Sequence, residues 1–97
     1  MKTATQRIQP VHFEMGRVDI TPRAWEKLTD GEIVCALHRH AAGDWGILCQ
    51  RDWDENETAL VEGRRLFSEY SSESGEKFWI ITEADRSVTT VMLTVEF

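Results

Sequence analysis

The chain has 97 residues, 41% of them hydrophobic and 29% charged, with four tryptophans and four phenylalanines. That is enough apolar material for one small domain with its own core, too short a chain for two, and too apolar a composition for a disordered polypeptide. The formal net charge of −6 comes wholly from the second half, because residues 1–48 hold six Lys/Arg against six Asp/Glu and residues 49–97 hold five against eleven. This balance argues against direct DNA or RNA binding, which needs a basic surface, and suits a partner protein with a basic surface instead. No stretch approaches the roughly 18 consecutive apolar residues of a membrane span, and MKTATQRIQP (residues 1–10) lacks the apolar run of a secretory signal, so no membrane and a cytoplasmic location are expected. Cys35 and Cys49 do not make a disulfide framework and read as reduced, small buried hydrophobes.

In chain order, residues 1–10 are polar without a period and read as a loose arm, with one domain over residues 11–97. In VHFEMGRVDI the apolar residues alternate as Val11, Phe13 and Met15, then resume out of phase at Val18 and Ile20. A slip at Gly16-Arg17 is the trace a β-bulge leaves, so residues 11–20 are predicted as a bulged strand. Thr21-Pro22 is an N-cap followed by proline at the first helical position, and RAWEKL supplies a short helix. From Asp30 as N-cap, a helix over residues 31–42 ends at Gly43, with Ile33, Leu37 and Ala41 along its apolar face. Asp54-x-x-Glu57 marks a further helix start, ending by Gly63. RRLFSEYSS, KFWIITEA and VTTVMLTVEF then form a three-stranded antiparallel meander, the last strand placing Thr89, Val91, Leu93, Val95 and Phe97 on one face. The fold class is therefore α+β: an antiparallel meander plus the bulged N-terminal strand, packed against two or three short helices.

Five stretches could carry chemistry. In HRHAAGDWG, His38 and His40 lie about 200° apart on a helix and cannot close on one ion, because paired helical ligands sit at i and i+3 or i+4. They read as boundary residues at the helix end, with Trp45 packed at the core edge and Leu37 buried. Cys35 and His38 do have i, i+3 spacing, with Cys49 and Asp52 to follow, but Cys-x2-His with Cys-x2-Asp is no recognised zinc pattern, and no metal or cofactor is expected. Asp44 and Trp45 between glycines form a corner that plugs the core and could also wall a pocket. Asp52, Asp54, Glu55 and Glu57 form a negative run that either solvates a helix start or meets a basic partner. Glu83, Asp85 and Arg86 close the last hairpin: two acids could hold a divalent ion or transfer a proton, whereas Arg86 paired with an acid would pin the turn. Trp25, Trp53 and Trp79 read as core or core-edge residues.

HFEMGRVDITPRAWEKL, LHRHAAGDWG and FWIITEADRSVTTVML together resemble a family of small "plasmid-related" proteins carried on bacterial plasmids and integrative elements, over about residues 12–97. The resemblance implies an accessory protein of a mobile genetic element, a class that often blocks host defences; it brings no catalytic residues with it. The expectation is a non-enzymatic acidic interaction protein, of the anti-CRISPR kind, that binds a nucleic-acid-handling host protein complex, as monomer or homodimer. The alternatives are a small metal-dependent hydrolase or nuclease using His38, His40 and Asp44 or the Glu83/Asp85 pair, and a small-ligand sensor with Trp45 in its pocket.

Overall fold

The computed structural model describes residues 12–97, so the expected arm over residues 1–10 and the first residue of the expected first strand lie outside the described residues. The elements run β1 (Arg17–Ile20), α1 (Pro22–Lys27), α2 (Asp30–Ala41), α3 (Gln50–Glu62), β2 (Leu66–Ser71), β3 (Lys77–Thr82) and β4 (Val88–Leu93), closed by a single 3₁₀ turn at Thr94–Glu96. The class is α+β. The three C-terminal strands form the antiparallel meander, but β1 joins its far edge parallel to β4, from Arg17 opposite Val88 to Ile20 opposite Val91. The sheet is therefore mixed, in the order β1-β4-β3-β2. A parallel neighbour needs a long crossover rather than a tight turn, and the helical layer supplies it between β1 and the meander. Among the described residues, no helix is long and apolar enough to cross a membrane.

The bulge is not there. Residues 12–16 approach the sheet without pairing in it: the His12 N–H donates to the Ala41 carbonyl at 2.8 Å, and regular pairing begins with Arg17 N–H to Ser87 O at 3.0 Å. Gly16 makes the turn between the two phases at φ +65°, where a Cβ would stand 2.3 Å from the Ser87 oxygen. The phase slip thus marks entry into a strand, not an extra residue inside one. At the other end β4 stops at Leu93, because the Glu96 carboxylate accepts from the Leu93 N–H and the Thr21 hydroxyl, both at 2.8 Å, and curls the chain out of the sheet. Val95 and Phe97 consequently leave the alternation and are exposed.

Each helix begins with an extended residue. Thr21 caps α1 through the Ala24 N–H, with Pro22 at the first helical position. For α2 the cap is Thr29, one residue before the expected Asp30: its hydroxyl accepts from the Glu32 N–H while Glu32 accepts from the Thr29 N–H, a reciprocal box that Asp30 has no spacing to make. The helix ends at Ala41, and Gly43 at φ +83° takes the chain out. α3 starts at Gln50 after an uncapped Cys49, four residues ahead of Asp54, so Asp54 and Glu57 lie in its body; it ends at Gly63 in the left-handed region.

All three helices pack on one face of the sheet. Ala24, Leu28, Ile33 and Ala36 meet Tyr70, Phe78, Ile80, Val91 and Leu93 in one apolar cluster; Trp45, Ala59 and Leu66, with Phe13, Leu48, Trp53 and Leu60 against them, form a second. Leu37 is half-buried, and Trp25, expected at the core, is 60% exposed. Both cysteines are exposed rather than buried, as they fall on the outward arc of α2 and at the α3 cap.

Candidate functional site

The stripe that α2 turns inward runs through Ile33, Ala36, His40 and Ala41, so His40 sits at its centre and not at its margin. His38 is exposed, and the two imidazoles point apart. His40 has no accessible surface. Its Nδ1 lies 2.6 Å from Ser68 Oγ on β2 and its Nε2 lies 2.9 Å from Thr82 Oγ1 on β3; Thr82 Oγ1 is 2.7 Å from Thr89 Oγ1 on β4, which donates to the Met15 carbonyl at 2.7 Å. The last bond fixes the direction of the chain. Thr89 spends its proton on Met15 and must accept from Thr82, so Thr82 accepts from His40 Nε2–H, and Nδ1 accepts from the Ser68 hydroxyl. Burial, reinforced by the charge of Arg86, pushes the imidazole down to a pKa of about 3, which keeps it neutral at pH 7. A serine and a histidine thus meet as they would in a nucleophilic pair, but neither has accessible surface for a substrate to approach.

The GDWG corner is the lid of this network. Trp45 is fully buried, stacked on Phe13 at 6.1 Å and edge-on to His40 at 5.6 Å, with its indole N–H donating to Glu57 at 2.8 Å. It is therefore core, with no surface to offer a pocket. Gly46 pairs beside Glu69 of β2 at φ +80°, where a Cβ would stand 2.0 Å from the Glu69 oxygen, so only glycine fits. Asp44 holds Arg39 through two bonds at 2.8 and 3.3 Å and accepts from the Gly46 N–H; the guanidinium holds its carboxyl below the usual carboxylate range. Arg39 also lies over the Tyr70 ring at 4.7 Å, on the wall of a cleft of about 390 Å³ between α2 and the start of β3 that Cys35 also lines. The outer edge of β2 is closed by this corner and by Asn56, whose carboxamide bonds both the N–H and the carbonyl of Phe67 in place of a further strand.

At the last hairpin the two acids part. Glu83 faces Arg65 at 3.3 Å, while Asp85 accepts from the N–H and hydroxyl of Ser87 at 3.0 and 2.6 Å. Arg86, at φ 63°, pins the turn as expected of it but through carbonyls rather than an acid: it donates to Arg64 O at 2.7 Å and Glu83 O at 3.1 Å. Among the described residues, no three His, Cys, Asp or Glu side chains gather closely enough to share an ion. The acidic run divides around α3. Asp52 is half-buried beside Arg51, Glu57 holds the Trp45 indole, and Asp54 and Glu55 face outward. No salt bridge among the described residues reaches Asp54, Glu55 or Glu57.

Among the described residues, no helix lies on the second face of the sheet. The strand register places Glu69, Trp79 and Met92 in one row across it and Phe67, Ile81, Thr90 and Asp19 in the next. Phe67 meets the Trp79 ring edge-on at 6.1 Å, and Phe97 does so from the other side at 4.9 Å. Together with Arg65 and Ile81 they line a groove of about 400 Å³. The signal for this face is in FWII, residues 78–81: four consecutive apolar residues in a strand make both of its faces apolar, whereas a half-exposed strand alternates. Comparison with protein-family models, curated proteins and solved structures finds no match for this chain.

Proposed function

We propose that the protein is a non-enzymatic interaction protein that offers the outward side of α3 to a basic surface on another protein. The observation that carries this reading is the contrast in how carboxylates are compensated. Asp52 and Glu62, toward the two ends of α3, sit within 4 Å of Arg51 and Arg64, whereas Asp54, Glu55 and Glu57 along its body meet no cation among the described residues and stand on the half of the chain that holds eleven acids against five bases. Uncompensated charge on a rigid helix steers a partner of opposite sign and sets its register. Proteins that handle nucleic acid display such basic surfaces, and the resemblance to plasmid-related proteins makes a host defence complex of the CRISPR type the partner we favour, met in the cytoplasm of a bacterium that carries the mobile element.

Capture of partners from host lysate on the immobilised full chain tests this. A basic nucleic-acid-handling protein is expected to bind at ~0.05 M salt and to be lost at ~0.5 M, where the screening length falls to about 4 Å. The double substitution Asp54→Asn/Glu55→Gln should weaken capture about tenfold with the melt unchanged. Recovery of no basic partner at low salt, or capture indifferent to both salt and substitution, would sink the reading.

A further inference from the structure

The uncovered face of the sheet differs in charge from the rest of the molecule. Among the described residues its ionic groups are Arg17, Arg65 and Lys77 against Asp19, Glu69 and Glu83, three of each sign. Most are already engaged within the face: Arg17 with Asp19 at 3.0 Å, Arg65 with Glu83 at 3.3 Å, and Glu69 with the Trp79 indole N–H at 3.0 Å. Inside that neutral frame lie Phe67, Trp79, Met92 and Phe97 over the floor made by Ile81.

We propose that this face is a homodimer interface, with a second copy of the chain as its occupant. Two chains of net charge −6 repel wherever their acidic surfaces approach, and this face, locally neutral, is where that repulsion is least. All of its ionic groups but Lys77 bring their partners with them, and Lys77 is exposed at the start of β3, so a second apolar sheet can cover the centre without leaving a charge buried alone. The size also fits a second sheet. Three strands of six residues and one of four present roughly 20 Å by 20 Å, at most about 400 Å² in plan, and two such faces packed at about −30° reach the lower end of specific interfaces once side-chain relief is added. The contact is isologous about a two-fold axis lying between the sheets, and it leaves α3 of both copies facing outward. Single-stranded nucleic acid also stacks on aromatic sheet faces, but it needs a basic groove to follow its phosphates, and three acids cancel the three bases here.

Sedimentation of the full chain from about 5 to about 500 µM, in ~0.05 and ~0.5 M salt, tests the proposal. The average mass is expected to climb from one toward two chain masses with concentration, and the dimerisation constant to tighten several-fold in high salt as the repulsion between like-charged copies is screened. Phe97→Glu, at a residue 77% exposed in the single chain, should hold the mass at one chain without altering the melt at concentrations where the parent is itself a single chain, while Val61→Glu on the helical side should dimerise as the parent does. A single chain mass at the highest concentration in both salts, a dimer indifferent to Phe97→Glu, or quenching of Trp79 fluorescence by a single-stranded oligonucleotide in place of dimerisation would each overturn it. Capture by α3 weakens with salt where this contact strengthens, so the failure of one leaves the other to be judged by itself.

Discussion

The two ends of the helix-covered layer are built on different physics. Around Ile80 and Val91 the contacts are aliphatic and aromatic surfaces with no direction of their own, supplied by α1, α2 and the middle of the sheet. Around His40 the same layer holds an imidazole, a serine and two threonines, each fully buried and each bonded to the next, under the rings of Trp45 and Phe13. The first end tolerates rearrangement because apolar burial depends on area, not direction. The second does not, since each hydroxyl has one proton to give and its recipient is fixed. A polar centre of this kind selects one arrangement of α2 over β2, β3 and β4, and the apolar end supplies most of the driving force.

The largest effect is expected where the second end is sealed. Trp45→Ala removes a fully buried ring, opens the imidazole to solvent and strips Glu57 of its indole donor, and should cost about 3–5 kcal/mol in urea unfolding. A loss below ~1 kcal/mol would mean that the corner is no lid. Next comes acid. His40 is neutral in the folded chain with a pKa of about 3, below its ordinary value of 6.5, so the unfolded chain takes up the proton first. Its contribution is therefore complete above pH 6.5 and is lost as pH falls from there toward 3. Between pH 7 and 4.5 the stability should drop by about 2–3 kcal/mol, and His40→Asn should flatten that slope. Equal slopes in parent and variant would show that the imidazole is not held neutral. The smallest effect belongs to the other histidine: His38 is exposed and outside the network, so His38→Ala should change stability by less than ~1 kcal/mol, as read from the shift in denaturation midpoint.

Local patterns carried the elements well. Thr21-Pro22, the apolar period of residues 33–41, and glycine at 43 and 63 place helix ends to within a few residues, because capping and left-handed exits are settled by the residues that make them. Where two local signals competed, the nearer partner won: Thr29 displaced Asp30 as cap because Glu32 stands three residues on and completes the box. The site was less legible. The His-x-His pair was correctly separated by helical geometry, yet the depth of His40 was not, since an imidazole at the centre of an apolar stripe is affordable only when distant strands bring it an acceptor and a donor.

The class, the order of helices and strands, the three-stranded meander and the acidic bias were legible before any tertiary contact was known, because they follow from composition and from periods of 2 and 3.6 residues. Long-range packing settled that β1 runs parallel to β4, that Asn56 and the GDWG corner close the edge of β2, that four hydroxyl and imidazole groups form one directed chain, and that one face of the sheet carries no helix among the described residues. The difference is one of range. Caps, turns and periodicity are interactions between residues a few positions apart, whereas the partners here stand from 7 to 75 positions apart, as with Thr82 and Thr89 or Thr21 and Glu96, and their meeting is set by how the layers close over one another.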